Sequence, residues 1–259
     1  MVVSRTQRWE RQRTSFGADA TGYDRHRPGW PATTAAWLTG TEPGGPFAGR
    51  ALDVLDVGAG TGKLTRTLVD AGHRVTALDP SGAMLAVLRE REPRAHVVRA
   101  GAEAIPLPDG SVDAVTVAQA WHWVDAGRAA AEVARVLRPG GVFGLGWHAR
   151  NESAAWTREL RTLVGEPTLG NGKSIHEQRS DPVVPGPFGP MITHRFGIDL
   201  ALTPAGLGAL AASWSYVSIR ADRDDVVAQV EALGRRVAGA AGTLRLPYDT
   251  WCHRVIRLP

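Results

Sequence analysis

The chain has 259 residues, 43% of them hydrophobic and 22% charged, with a formal net charge of +4. This is the composition of an ordinary globular enzyme, and it excludes a largely disordered chain. Gly, Asp or Arg breaks every apolar stretch well short of the ~20 residues that a membrane span needs, no charged-then-apolar leader opens the chain, and the expectation is a soluble, cytoplasmic protein without a membrane partner. The single cysteine, Cys252, cannot form an internal disulfide and is expected to be a buried small hydrophobe.

Residues 5–27 hold six Arg against Glu10, Asp19 and Asp24. No aromatic-basic sheet motif accompanies them, so a solvated or carboxylate-binding segment is expected rather than a nucleic-acid arm. From position 51 short apolar runs alternate with helical segments. "ALDVLDVG" reads as a strand, and "KLTRTLVDAG", with Leu64, Leu68 and Ala71 at helical spacing, as a helix stopped at Gly72. Next come the strand "HRVTALD", a helix opened by Ser81 with Met84, Leu85 and Leu88 inward, and the strand "AHVVRAG". After the turn "PLPDGS" the strand "VDAVTVAQA", the helix around "RAAAEVARVL", the break "RPGG" and the strand "VFGLGW" follow. Five strands with intervening helices imply a doubly wound, mostly parallel sheet of the α/β class.

Beyond Trp147 the rhythm breaks. Residues 151–190 combine a helical stretch around "AAWTRELRTLV" with the loop "DPVVPGPFGP" and read as an insertion over the site. A strand near "ITHRFGIDL", helices near 203–213 and 223–240, and a last strand "TLRLPYDTWCHRVIRL" bring the expected sheet to seven strands.

The stretch "DVGAGTGKLT", residues 56–65, decides the chemistry. A P-type phosphate loop needs Gly, four residues, then Gly-Lys-Ser/Thr; here Val57 stands at the first Gly and Leu64 at the hydroxyl, so "GTGK" lacks both the turn and the Mg²⁺ ligand. A nicotinamide turn needs a small third residue for close helix–strand packing, and that position is Lys63. Gly58, Gly60 and Gly62 instead suit a cofactor without a pyrophosphate.

These residues carry a resemblance. "LDVGAGTGKLT" resembles the first motif of class I S-adenosylmethionine-dependent methyltransferases. "VTALDPSGAML" resembles the second motif, "AGAEAIPLPDGSVDAVTVAQAWHWVD" the third and fourth, and "VARVLRPGGVFGLGW" the fifth-strand region. The ordered series covers residues 51–147, over a third of the chain. "AQAWHW" and "YDRHRPGWP" are similar to the small-molecule group that includes trans-aconitate-type and ubiquinone-pathway-like enzymes. The resemblance implies a Rossmann-like methyltransferase fold with residues 1–40 as an N-terminal lid, 41–150 as the cofactor-binding core, 151–190 as a cap over the substrate site and 191–259 completing the sheet.

It also implies site roles. Asp79, closing the second strand 21 residues after Gly58, would accept the ribose hydroxyls beside Pro80, or else cap the following helix. Asp56 would orient the glycine turn or reach the methionine ammonium through water, and Gly58, Gly60 and Gly62 would admit the methionine moiety. Met84 would pack on adenine, unless it is core filler. Ala102 and Glu103 would read adenine, though Gly101 stands where relatives often carry Asp. Gln119 and Ala120 would border the methyl group, while Tyr23 would face the sulfonium and Arg27 the methionine carboxylate.

Nine tryptophans are many for this length. Trp121, Trp123 and Trp147 fall just beyond the fourth and fifth strands and would wall the substrate site with His148, each having a core-packing alternative. His122 is the candidate general base, against a reading as a packing histidine. No metal is expected, because no Cys/His or acidic cluster has ligand spacing. The implied activity is direct methyl transfer to O, N or C of a small molecule by a monomer or homodimer. The alternatives are a non-methylating S-adenosylmethionine-binding protein (a cyclisation or rearrangement catalyst, or a regulator) and an RNA methyltransferase.

Overall fold

The computed structural model describes residues 27–166 and 182–259, with Ser215 described by its backbone alone. Tyr23 and most of the arginine-rich segment lie outside the described residues. Among those described, the elements in chain order are α1 (Ala32–Thr39), β1 (Asp53–Val57), α2 (Lys63–Asp70), β2 (Arg74–Leu78), α3 (Gly82–Arg91), β3 (His96–Val98), β4 (Val112–Ala118), a 3-10 turn (Trp121–Trp123), α4 (Ala126–Val136), β5 (Leu137–Arg150), α5 (Ala155–Val164), β6 (Ile192–Leu202), α6 (Pro204–Ala212), α7 (Ser215–Ser218), α8 (Arg223–Ala238) and β7 (Leu244–Ile256).

The strands form one sheet in the order β3-β2-β1-β4-β5-β7-β6. β1 pairs in parallel with β2 and β4, β2 with β3, and β4 with β5. β7 runs against β5: Gly140 N donates to Arg257 O, and Asn151 N to Pro247 O. The sheet is thus α/β, seven-stranded and mostly parallel, as expected. Its order reverses between β1 and β4, the place where doubly wound sheets bind ligands.

The helices begin where local chemistry allows. Ser81 Oγ accepts from Met84 N at the start of α3, Asp125 Oδ1 from Arg128 N at α4, and Thr203 Oγ1 from Gly206 N at α6. α8 carries Asp224 and Asp225 in its first turn and Arg235 and Arg236 in its last, matching the helix dipole at both ends. β1 and β4 are buried almost throughout, as strands covered on both faces must be.

The chain divides into two compact units, to which β5, β6 and β7 each contribute at both ends. One comprises Gly29–Trp147, Pro182–Phe196 and Trp251–Pro259. Its core packs Leu55, Val117, Trp121, Phe143, Leu145 and Trp147 in one cluster and Trp30, Ala35, Leu38, Leu52, Val54 and Cys252 in another. Cys252 is fully buried, and burial pushes its thiol up to about 12. The other unit comprises, in its described residues, 27–28, 148–166 and 197–250, built around Leu160, Leu207, Leu210, Val230 and Leu246. Within it the buried Arg150 pairs with Glu166, donates to Tyr216 Oη at 3.1 Å and lies 4.2 Å over the Trp214 ring.

Three expectations change. Residues 32–39 are not lid but core, because α1 sets Leu38 against the backbone of β5. The 151–190 segment is divided, α5 lying in one unit and 182–190 in the other. β5 starts before "RPGG": Leu137 already pairs with Val112, and the chain loops out before Val142 rejoins opposite Ala114.

A side chain cannot enter where α1 meets β5. A Cβ on Gly144 would stand 2.3 Å from Leu38 O and 3.0 Å from Leu38 C. Gly144→Ala is therefore expected to destabilise the protein by about 2–4 kcal/mol, read from urea unfolding.

Candidate functional site

The end of β1 feeds straight into the glycine turn. Gly58 N and Ala59 N both donate to Leu78 O at the end of β2, at 2.7 and 3.1 Å, which ties the turn to the neighbouring strand. Gly58, Gly60 and Gly62 have φ of +68°, +57° and +85°, a region L side chains rarely adopt. Gly58 is doubly constrained, since a Cβ there would lie 2.4 Å from Ala120 Cβ. The same contact places Ala120 directly over the turn. Around Gly60 there is open space for a ligand to meet backbone.

Asp79 stands beside this opening. Its Oδ2 accepts from Gly60 N at 3.0 Å and its Oδ1 from Ser81 N at 2.8 Å, so the turn and the start of α3 fix its orientation together. Burial raises its carboxyl above the ordinary range, and the two N–H donors oppose the shift. A carboxylate oxygen has two acceptor positions, so each keeps capacity for a further donor such as a ribose hydroxyl. The arrangement fits an adenosyl cofactor.

Asp56 is buried at 1% exposure. Its Oδ2 accepts from Thr65 Oγ1 of α2 at 2.6 Å and its Oδ1 from Thr116 Oγ1 of β4 at 3.0 Å. Burial outweighs the two hydroxyls and raises its carboxyl to about 6. Thr65 and Thr116 were not foreseen, although a threonine inside the otherwise apolar "AVTVA" was a visible signal.

The remaining cofactor candidates gather around the strand ends. Met84 is buried on α3, next to the Ser81 cap, and Pro80 O accepts from Arg99 Nε. Ala102 is buried in the main core cluster, while Glu103 Oε1 accepts from Asp125 N at 3.0 Å. Gln119 has φ +60°, the one positive value at a non-glycine among the described residues, and its N donates to Gly146 O. This sparsely populated conformation turns the end of β4 across Gly58.

The Arg27 guanidinium donates to Ser213 O at 3.0 Å and to Ser213 Oγ at 3.3 Å.

The aromatic wall is corrected. Trp121 is buried, edge-on to Phe143, with Nε1 donating to Val183 O at 3.0 Å. Trp147 is 2% exposed, and its Nε1 donates to His122 Nδ1 at 3.3 Å. Both rings are core: Trp147 is carried by β5, which is buried along most of its length, and Trp121, in the 3-10 turn after β4, packs into the same cluster. His148 is buried in the other unit, bonded to Thr250 Oγ1 at 2.8 Å; successive strand residues leave opposite faces, so it cannot join Trp147 at one acceptor. Half-buried Trp123, 4.8 Å from the His122 ring, is the remaining candidate for an aromatic wall.

The buried Asp56 has a pH consequence. Its native form holds a proton more tightly than the unfolded chain does, so its contribution to stability declines as pH rises from about 4 to about 6 and stays lost above. Asp56→Asn removes that decline, and relative to wild type the variant should gain about 2 kcal/mol between pH 4 and pH 7, read from urea unfolding at both pH values.

The description "Methyltransferase domain" applies to the family model that matches residues 55–145. An uncharacterized methyltransferase of Mycobacterium tuberculosis is 44% identical over 245 residues, covering 93% of this chain and 94% of that protein. A malonyl-[acyl-carrier protein] O-methyltransferase of Enterobacter lignolyticus is 40% identical over 130 residues, half of each chain. A solved structure assigned to a type II methyltransferase from Anaeromyxobacter dehalogenans superposes with a TM-score of 0.73 at 27% identity, covering 90% of this chain and 99% of that one. With a mycobacterial relative matched over nearly its full length and the glycine turn, Asp79 and strand order in place, the chain belongs to the class I S-adenosylmethionine-dependent methyltransferases.

Proposed function

We propose that the protein methylates a small-molecule acceptor at oxygen, nitrogen or carbon, with the glycine turn holding the methionine portion of S-adenosylmethionine and Asp79 holding its ribose. One observation carries this reading: Asp79 is pinned by Gly60 N and Ser81 N beside open space over the turn, with acceptor capacity left on both oxygens. Bound S-adenosylmethionine supplies an electrophilic methyl carbon. The chain's own part is to bind and orient. Met84 and Pro80 flank the adenosine, Ala102 and Glu103 read adenine, Gln119 and Ala120 border the methionine portion, and Trp123 offers an apolar face to the acceptor. Holding acceptor and methyl group in line contributes up to ~7–11 kcal/mol, more than a general base typically supplies. Oxygen acceptors are favoured by the likeness to a malonyl-[acyl-carrier protein] O-methyltransferase.

Calorimetric titration with S-adenosylmethionine tests the reading. Loss of two hydrogen bonds to a charged acceptor, ~1.5–3 kcal/mol each, predicts that Asp79→Ala weakens binding roughly a hundredfold or more. Because burial raises the Asp79 carboxyl, wild-type affinity should begin to fall at a higher pH on acidification than an ordinary aspartate would give. Binding of NAD or ATP with indifference to S-adenosylmethionine would overturn the assignment.

A further inference from the structure

The bond between Trp147 and His122 has a direction, and the direction fixes the chemistry of the imidazole. Trp147 Nε1 stands 3.3 Å from His122 Nδ1. An indole nitrogen only donates, so Nδ1 is the nitrogen without a proton, and in the neutral ring the proton sits on Nε2. The indole is held in place to do this. Trp147 is 2% exposed in the main core cluster, and its ring meets that of His253 edge-on at 5.7 Å. His253 is itself fully buried and bonded through Nδ1 to Thr193 Oγ1 at 2.9 Å. On its other side His122 lies 4.8 Å from the Trp123 ring.

We propose that Trp147 is a positioning residue that locks His122 into the Nε2–H tautomer, so that His122 acts on the methyl acceptor as a hydrogen-bond donor and not as the general base its place in the sequence suggests. Whatever Nε2 meets, it meets with a proton. The nitrogen that could take a proton is already occupied by the indole. The role at the acceptor rests on the methyltransferase reading above, in which His122 lies two residues beyond Ala120, the residue packed against Gly58. The tautomer itself is independent of that reading.

Nitrogen-15 NMR of the full chain labelled at the histidine imidazoles tests it, with the His122 signals identified by their loss in His122→Gln. A neutral His122 with its proton on Nε2 is expected in the wild type, with no dependence on added acceptor. In Trp147→Phe, which keeps most of the bulk but lacks the N–H, the proton should distribute between both nitrogens. A wild-type Nδ1–H form, an imidazolium at neutral pH, or unchanged tautomer signals in Trp147→Phe would each overturn the proposal. Once an acceptor is found, His122→Gln, whose amide can donate, should retain at least tenfold more kcat than His122→Glu, which offers a base without a donor; the reverse order would also overturn it. Calorimetry with S-adenosylmethionine on the same wild-type sample separates the two questions. Failure to bind would sink the methyltransferase reading and leave the tautomer result standing.

Discussion

A buried carboxylate joins the three elements on which the site is built. Asp56 sits at the end of β1 and receives one hydroxyl from α2 and one from β4, the strand across the reversal of strand order. Two hydroxyl donors are not enough to offset removal from water, which is why the carboxyl is raised to about 6. What Asp56 does provide is direction. With each oxygen committed to a different element, the glycine turn that begins two residues later leaves β1 at a fixed angle, and Leu78 O then captures the next two backbone N–H groups. Asp79 follows Leu78 directly, so the geometry of one strand end passes to the next by backbone alone.

Most of the fold was legible because its signals are local. β1 and β2 are short apolar runs closed by Gly58 and Asp79, and α3 announces itself through its Ser81 cap. α1 was missed because its sequence, "ATTAAWLT", shows little amphipathic contrast; what fixes it is the approach of Leu38 to a glycine more than a hundred residues away. The true start of β5 was missed for a related reason. Gly140 and Gly141 read as a break, yet Leu137 before them pairs with Val112 and the chain re-enters the ladder at Val142. Pairing across the sheet decided both cases, and pairing is not written in any single segment.

The site divides along the same line. The turn conformation of Gly58, Gly60 and Gly62 and the place of Asp79 beside it were readable because a tight turn after a strand and an acid at the next strand end are determined within a few residues. The tryptophans were not. Trp121 and Trp147 stand at strand ends that suit an acceptor wall, but burial depends on what covers each face of the sheet, and here Phe143, Phe188, Val184 and Met191 are packed into the same cluster. Alternation along β5 could not separate a wall from a core, since both faces of a parallel strand are covered. Thr65, Thr116 and the positive φ of Gln119 escaped notice because each has meaning only beside its partner.

The corrected tryptophans change how the active end of the sheet should be understood. An exposed ring contributes surface, whereas a buried indole contributes one directed N–H held by the packing around it. Trp147 belongs to β5 and His122 to the turn after β4, and Gln119 N donates to Gly146 O, one residue before Trp147. The strained residue that carries Ala120 over Gly58 and the indole that orients His122 are therefore fixed by the same stretch of one strand. Groups placed by a strand keep their geometry more closely than groups placed by a loop. The glycine turn and the His122 imidazole, three residues beyond Gln119, thus share a rigid reference in β5, and in the proposed reading a direct displacement at a methyl carbon would depend on alignment of that kind more than on any proton transfer.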